Sequence, residues 1–160
     1  NYPEKNEGNK QPQLKEIPTF KSKFRKFDKK SKLAIDEYTK RTSPFCKVAI
    51  KTYKDISKAS FKSGSKIYIV TPGPDSPTSP GLAKLIESDN LAGISCIEFL
   101  IKSTGTNIDE NSYNATEEFD NNASCFNLSS FSMSPELTTI VLTEQIYRAY
   151  TIMNNITYHK

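Results

Sequence analysis

Histidine is almost missing from this chain, and its scarcity excludes more chemistry than any residue that is present. The 160 residues hold one histidine, His159, and three cysteines, Cys46, Cys96 and Cys125, with no Cys-x-x-Cys pair. A structural zinc site needs four nitrogen or sulfur ligands at usable spacing, so none is expected. A nucleophilic Cys–His pair would have to use His159, beside the end of the chain. There is no glycine-rich phosphate loop and no EF-hand spacing. No apolar run approaches eighteen residues, so no membrane span is expected. The acidic stretch with Asp109, Glu110, Glu117, Glu118 and Asp120 reads as a solvated loop face and not as a working carboxylate pair. From the residues alone, neither an enzyme nor a bound cofactor is expected.

What is present is lysine, unevenly spread. The formal net charge of +4 conceals 18 Lys and Arg against 8 Asp and Glu in residues 1–80, and 4 against 10 in residues 81–160. The most basic segment interleaves Lys21, Lys23, Arg25, Lys26, Lys29, Lys30 and Lys32 with Phe20, Phe24 and Phe27. Cations pair with phosphate or sulfate and aromatic rings stack, so this segment fits a polyanion, either a nucleic acid or a glycosaminoglycan. The competing reading is an edge element whose phenylalanines reach the core while its lysines stay solvated. Residues 1–32 are taken as a basic extension able to contribute an edge strand, and residues 33–160 as the folded domain.

Along that domain, Leu33–Tyr38 is too short for its period to decide between helix and strand. Phe45–Tyr53, Lys66–Thr71, Ile94–Lys102 and Ser124–Met133 read as strands. Ile94–Lys102 has apolar residues on both faces, which suits the middle of a sheet. Between two of these strands lie four prolines within Pro72–Pro80, a rigid surface loop. Ser79-Pro80 then supplies a helix start, and Leu82, Leu85 and Ile86 fall at helical spacing, giving one short helix near 81–90. Leu137–Thr143 and Gln145–Met153 are rich in β-branched residues, which favours strands. About seven strands with turn punctuation predict an all-β fold, a two-sheet β-sandwich with long loops.

Four Asn-x-Ser/Thr sequons occur, at Asn114, Asn122, Asn127 and Asn155, three of them within fourteen residues. That clustering favours a glycoprotein of the secretory pathway. The start at Asn1-Tyr2-Pro3, without an initiator Met or a signal-like apolar segment, reads as a processed product.

The succession of pieces also resembles a known family. Phe45-Cys46, then Ile67–Pro77 with its Pro-Gly-Pro-Asp-Ser-Pro loop, then Leu82–Ile86, then Cys96–Ile101 is similar in order to the poxvirus immune-evasion domain, and Leu137–Leu142 through Ala149–Ile152 adds a weaker echo. The resemblance implies a viral virulence protein of the host secretory pathway, in the endoplasmic reticulum lumen or secreted, with its signal peptide removed. It implies capture of a host immune protein: a chemokine, a cytokine or an MHC class I-like molecule. Chemokines are basic, so the lysine-rich first half disfavours that ligand on electrostatic complementarity. By the same resemblance Cys46 and Cys96 match family cysteines, and a Cys46–Cys96 disulfide is one pairing it allows. The alternatives are a polyanion-binding protein working through the basic segment, and a jelly-roll coat protein with a basic arm.

Overall fold

The strands that the sequence announces pair side by side in one direction. The computed structural model describes residues 17–20, 27–53, 60–101 and 123–158. Its order is β1 (Ile17–Phe20), α1 (Lys29–Thr42), β2 (Ile50–Tyr53), β3 (Lys66–Thr71), α2 (Ser79–Leu91), β4 (Ile97–Ile101), β5 (Ala123–Asn127) and α3 (Pro135–Met153). The five strands form one sheet in the order β2-β1-β4-β3-β5, and every pairing is parallel. Parallel neighbours need a crossover, here by helices, which makes this an α/β fold and not a β-sandwich.

β4 is the strand the sequence placed at the centre of a sheet, and all five of its residues are buried. Its two faces alternate as a strand must. Ile97, Phe99 and Ile101 join Tyr68, Phe126, the α2 residues Leu82, Ala83 and Ile86, and the α3 residues Leu142, Ile146, Ala149 and Tyr150 in one core. Glu98 and Leu100 face the other side and are also buried. The α2 helix is capped one residue earlier than Ser79: the Thr78 hydroxyl accepts from the Gly81 N–H at 3.2 Å, with proline in the first turn. The Tyr68 hydroxyl donates to Asp89 at 2.6 Å and ties α2 to β3. Gly93, at φ +81°, takes the left-handed conformation just past the helix end, where a side chain would be strained.

The largest departure from expectation is the last helix. Leu137–Thr143 and Gln145–Met153 read as strands, yet both lie in α3, nineteen residues long. Its buried positions Thr139, Leu142, Thr143, Ile146, Ala149 and Tyr150 recur at three and four residues, a helical stripe outweighed by β-branched content in the sequence reading. The threonines are accommodated because their hydroxyls bond back along the helix: Thr139 to the Pro135 carbonyl at 2.7 Å and Thr143 to that of Thr139 at 2.9 Å. The Ser134 hydroxyl caps the start by accepting from the Leu137 N–H at 3.2 Å, with proline in the first turn. α3 packs against both α1 and α2.

The first residues are also placed differently. Ile17–Phe20 lies inside the sheet between β2 and β4, so it is no edge strand. The boundary expected at residue 32 falls inside α1. Of the strand expected over Phe45–Tyr53, only Ile50–Tyr53 pairs.

Candidate functional site

In an open parallel sheet the carboxyl ends of the strands all leave by one edge, and the loops there meet the first turns of the helices that follow. Ligands settle at that edge where the strand order reverses direction. Here the chain passes from β3 through α2 to β4 on one side, and β5 then takes the opposite side of β3. The carboxyl ends of β3, β4 and β5 are therefore the place to look.

A cleft lies there. It is lined by Val70, Thr71 and Pro72 from the end of β3, Ile101 from the end of β4, Leu128, Ser129, Phe131, Ser132 and Met133 after β5, and Thr138 from the first turn of α3. The described walls enclose about 40 Å³. They offer a mixed surface, apolar side chains with the hydroxyls of Thr71, Ser129, Ser132 and Thr138, and none of these residues carries an acid or a base. Phe131, 79% exposed, stands at the mouth. A second hollow of about 250 Å³ shares Leu128 and lies between α2 and α3, reaching Ser79 and Gln145, whose side chains hydrogen-bond at 2.8 Å.

Hydrogen bonds hold the cleft's two sides together. Register pairing of β3 and β5 ends at Thr71 and Asn127. Past that point the Gly73 N–H donates to the Ser129 carbonyl at 3.0 Å, and the Ser76 hydroxyl donates to the Leu128 carbonyl at 2.7 Å. The proline loop is thus one wall of the cleft, anchored to the segment that follows β5.

The basic segment approaches the same edge. The Ser31 hydroxyl lies 3.4 Å from a Glu136 carboxylate oxygen, which sets the first turn of α1 beside the first turn of α3. Lys29, Lys30 and Lys32 are exposed on that turn. Asp28 caps it by accepting from the Ser31 N–H at 2.7 Å, a bond that holds its carboxyl below the usual range. Lys21, Lys23, Arg25 and Lys26 lie outside the described residues.

Two other clusters of polar side chains lie away from the cleft. Glu98 is buried, but it accepts from the Ser65 hydroxyl and from the Lys62 N–H at 3.2 Å, at the amino end of β4. It latches the 62–65 turn to the sheet, on the edge opposite the cleft. At the far end of α3, Arg148 pairs with Glu144 at 2.7 Å and stands 4.8 Å from the Tyr158 ring centre, with Tyr147 on that ring's other contact at 5.4 Å. Burial and the neighbouring Tyr38 push the Tyr158 hydroxyl up to about 12.

The remaining expected site residues separate. Cys46 and Cys96 are both buried and held as thiols, not as a bridge, and Cys125 is an exposed thiol. Burial raises the Tyr150 hydroxyl pKa, and interaction with Cys46 raises it further. Asn127 is no free glycan acceptor: its Nδ2, the atom a glycan would modify, donates at 3.1 Å to both the carbonyl and the hydroxyl of Thr71. Asn155 is exposed at φ +53°, just past α3. Asn114, Asn122 and His159 lie outside the described residues. The residues of the cleft went unnoticed in the sequence, although a strand followed by a proline loop and a capped helix carried the signal once the strands are taken as parallel.

Comparison with known proteins places this geometry. A family model described as "Predicted SPOUT methyltransferase" matches residues 23–159. "Ribosomal RNA large subunit methyltransferase H 1" of a Thermoanaerobacter species is 33% identical, the match covering 79% of this chain and 86% of that protein. "Ribosomal RNA large subunit methyltransferase H" of Clostridium novyi is 32% identical and that of Finegoldia magna 29%, each match covering 83% of this chain and 92% of the relative. These matches overturn the resemblance to the poxvirus immune-evasion domain. With it fall the non-enzymatic virulence role, the host immune partner and the host secretory pathway, and the jelly-roll alternative falls with the β-sandwich. The physical reason is that strand, proline loop, short helix and strand describe a parallel β-loop-α-β unit as well as they describe part of a sandwich.

Proposed function

Starting from a chain that belongs to the SPOUT methyltransferase family, we propose that it is an enzyme that methylates ribosomal RNA of the large subunit, binding its methyl donor at the carboxyl edge of the sheet. The observation that carries the reading is the cleft itself, built where an open parallel sheet receives ligands, between the ends of β3, β4 and β5 and the start of α3. When bound, a donor of the S-adenosylmethionine class supplies an electrophilic methyl group. The cleft fits part of such a molecule. Val70, Ile101, Leu128 and Met133 give an apolar bed for a thioether or ring, and the hydroxyls of Thr71, Ser129, Ser132 and Thr138 give polar partners beside it.

The absence of acids and bases from the described walls is consistent with this chemistry. A sulfonium donor that gave up its methyl group would leave as a neutral thioether needing no proton, while any proton on the accepting RNA atom would pass to a base outside the described walls. The residues then act by alignment and by keeping water out, which lower the barrier through proximity and through an apolar setting in which positive charge disperses.

RNA is a polyanion, and Lys29, Lys30 and Lys32 on the first turn of α1 sit beside the start of α3 at the cleft edge. They serve as phosphate contacts that position the substrate. Changing all three to glutamate is expected to weaken RNA binding by about tenfold or more and to flatten its salt dependence, each lost phosphate contact removing roughly 0.7–0.9 from the log–log slope. Affinity for the methyl donor should stay the same. A filter-binding series in increasing salt measures both, and an unchanged slope would remove these lysines from the interface.

The function itself is tested by incubating the protein with methyl-labelled S-adenosylmethionine and unmodified ribosomal subunits. Label is expected in large-subunit RNA. Its absence from every RNA offered would overturn the proposal.

A further inference from the structure

We infer that Asn127 is a positioning residue that sets the width of the donor cleft, an inference resting on the reading of that cleft as the methyl-donor site. Asn127 does not line the cleft. It stands at the last register pair of β3 and β5, opposite Thr71, where the sheet ladder ends and the two walls diverge. One wall continues as Thr71–Pro72 and the other as Leu128–Ser129. The Asn127 side chain crosses between them, its Nδ2 donating at 3.1 Å to the Thr71 carbonyl and at 3.1 Å to the Thr71 hydroxyl. A carbonyl oxygen only accepts, so the amide nitrogen must face it, and this orientation is chemically determined.

Gly73 is the second half of the device. A Cβ added there would lie 2.5 Å from the Asn127 Cγ and 2.7 Å from its Nδ2, with Oδ1 closer still, and these three side-chain atoms are the nearest neighbours. Atoms this close cannot coexist. A side chain at position 73 would therefore have to displace the Asn127 amide, a constraint set by the asparagine and not by the glycine's own backbone conformation, since the described glycines at positive φ are Gly64 and Gly93. With the Gly73 N–H bonded to the Ser129 carbonyl, the amide of Asn127 is enclosed by the loop it holds. Both parts act on one distance, the separation of Thr71–Pro72 from Leu128–Ser129.

The test uses the full chain and S-adenosylhomocysteine, the demethylated product of the donor, titrated by calorimetry alongside steady-state kinetics. Asn127→Ala loses both bonds to Thr71 and is expected to weaken S-adenosylhomocysteine binding roughly tenfold. The KM for S-adenosylmethionine should rise in parallel, with kcat at saturating donor within about twofold of the original, because the residue does not touch the reacting atoms. Gly73→Ala should displace the Asn127 amide and give a similar loss. Combined with Asn127→Ala it should add nothing, because the atoms it would strike are gone, and that non-additivity is something two independent structural defects would not show. If Asn127→Ala fails to fold, Asn127→Leu carries the test: it keeps the branched shape, cannot donate to Thr71, leaves the cleft lining untouched and should weaken binding about threefold or more. Unchanged binding in the folded variants, or simple additivity of the Gly73 and Asn127 effects, overturns the inference while leaving the donor site intact. Failure of the unaltered protein to bind S-adenosylhomocysteine overturns the donor reading and this inference with it.

Discussion

Truncating Phe99 to alanine is expected to destabilise the protein by about 3–5 kcal/mol, the cost of deleting a large ring from a core that cannot close around the gap. Phe99 is wholly buried at the middle of β4. Its ring stacks on Tyr68 of β3 at 5.5 Å and meets the edge of Phe126 of β5 at 5.5 Å. Tyr68 and Phe126 also touch, at 6.0 Å, so three rings from three adjacent strands form one unit beneath α2 and α3. Removing the Phe99 ring takes from Tyr68 and Phe126 a partner that both contact. Since domains are stable by about 5–15 kcal/mol in total, the variant should sit at the edge of folding. Urea denaturation reads the change, with Phe99→Leu, which keeps much of the volume, as the milder comparison. A shift of less than about 1 kcal/mol for the alanine variant would mean that these rings do not anchor the sheet.

The second large effect concerns the cleft. Replacing Ser132 with tryptophan should abolish donor binding, by roughly a hundredfold or more, a difference of about 2.7 kcal/mol. Ser132 lines the cleft yet is exposed, so the new side chain costs the fold little, within about 0.5 kcal/mol for a surface position. An indole is far bulkier than the serine hydroxyl it would replace on the cleft wall. Rising from the lining, it should cover the space a ligand would use. Calorimetry with S-adenosylhomocysteine, paired with a thermal melt that should be unchanged, measures both halves. A variant that melts normally and binds normally would exclude this cleft and shift attention to the larger hollow between α2 and α3.

These two experiments probe features of different legibility. β4 could be read directly: five apolar or buried residues in a row have one natural place, the interior of a sheet, whatever the fold. The helix after the proline loop was legible for a similar reason, because a capping hydroxyl, a proline in the first turn and leucines at helical spacing are local signals. α3 was not legible by propensity. Its threonines, isoleucines and valine favour strands when counted, and only burial against α1 and α2, with threonine hydroxyls bonded back to the preceding turn, makes them helical. That misreading converted an α/β pattern into an all-β one and produced the sandwich, while the family resemblance rested on the order of pieces from Phe45 to Ile101 and the secretory reading on the sequon cluster and on that resemblance. Asn127 shows the same limit at a single residue. As Asn127-Leu128-Ser129 it presents a sequon, and in the fold its amide is committed to Thr71.

By itself, then, the sequence determined where apolar strands and the capped helix α2 lie and that the first half is rich in lysine. Those are local properties, set by composition and by spacing over a few residues. The tertiary structure decided the direction in which the strands pair, the helical state of the last segment, and the meeting of the proline loop, the residues after β5 and the basic turn of α1 at one edge. Each depends on contacts between residues far apart in the chain, as in the bonds of Thr71 to Asn127 and of Ser31 to Glu136. No window of sequence contains both partners of such a contact, and the cleft exists only where they meet.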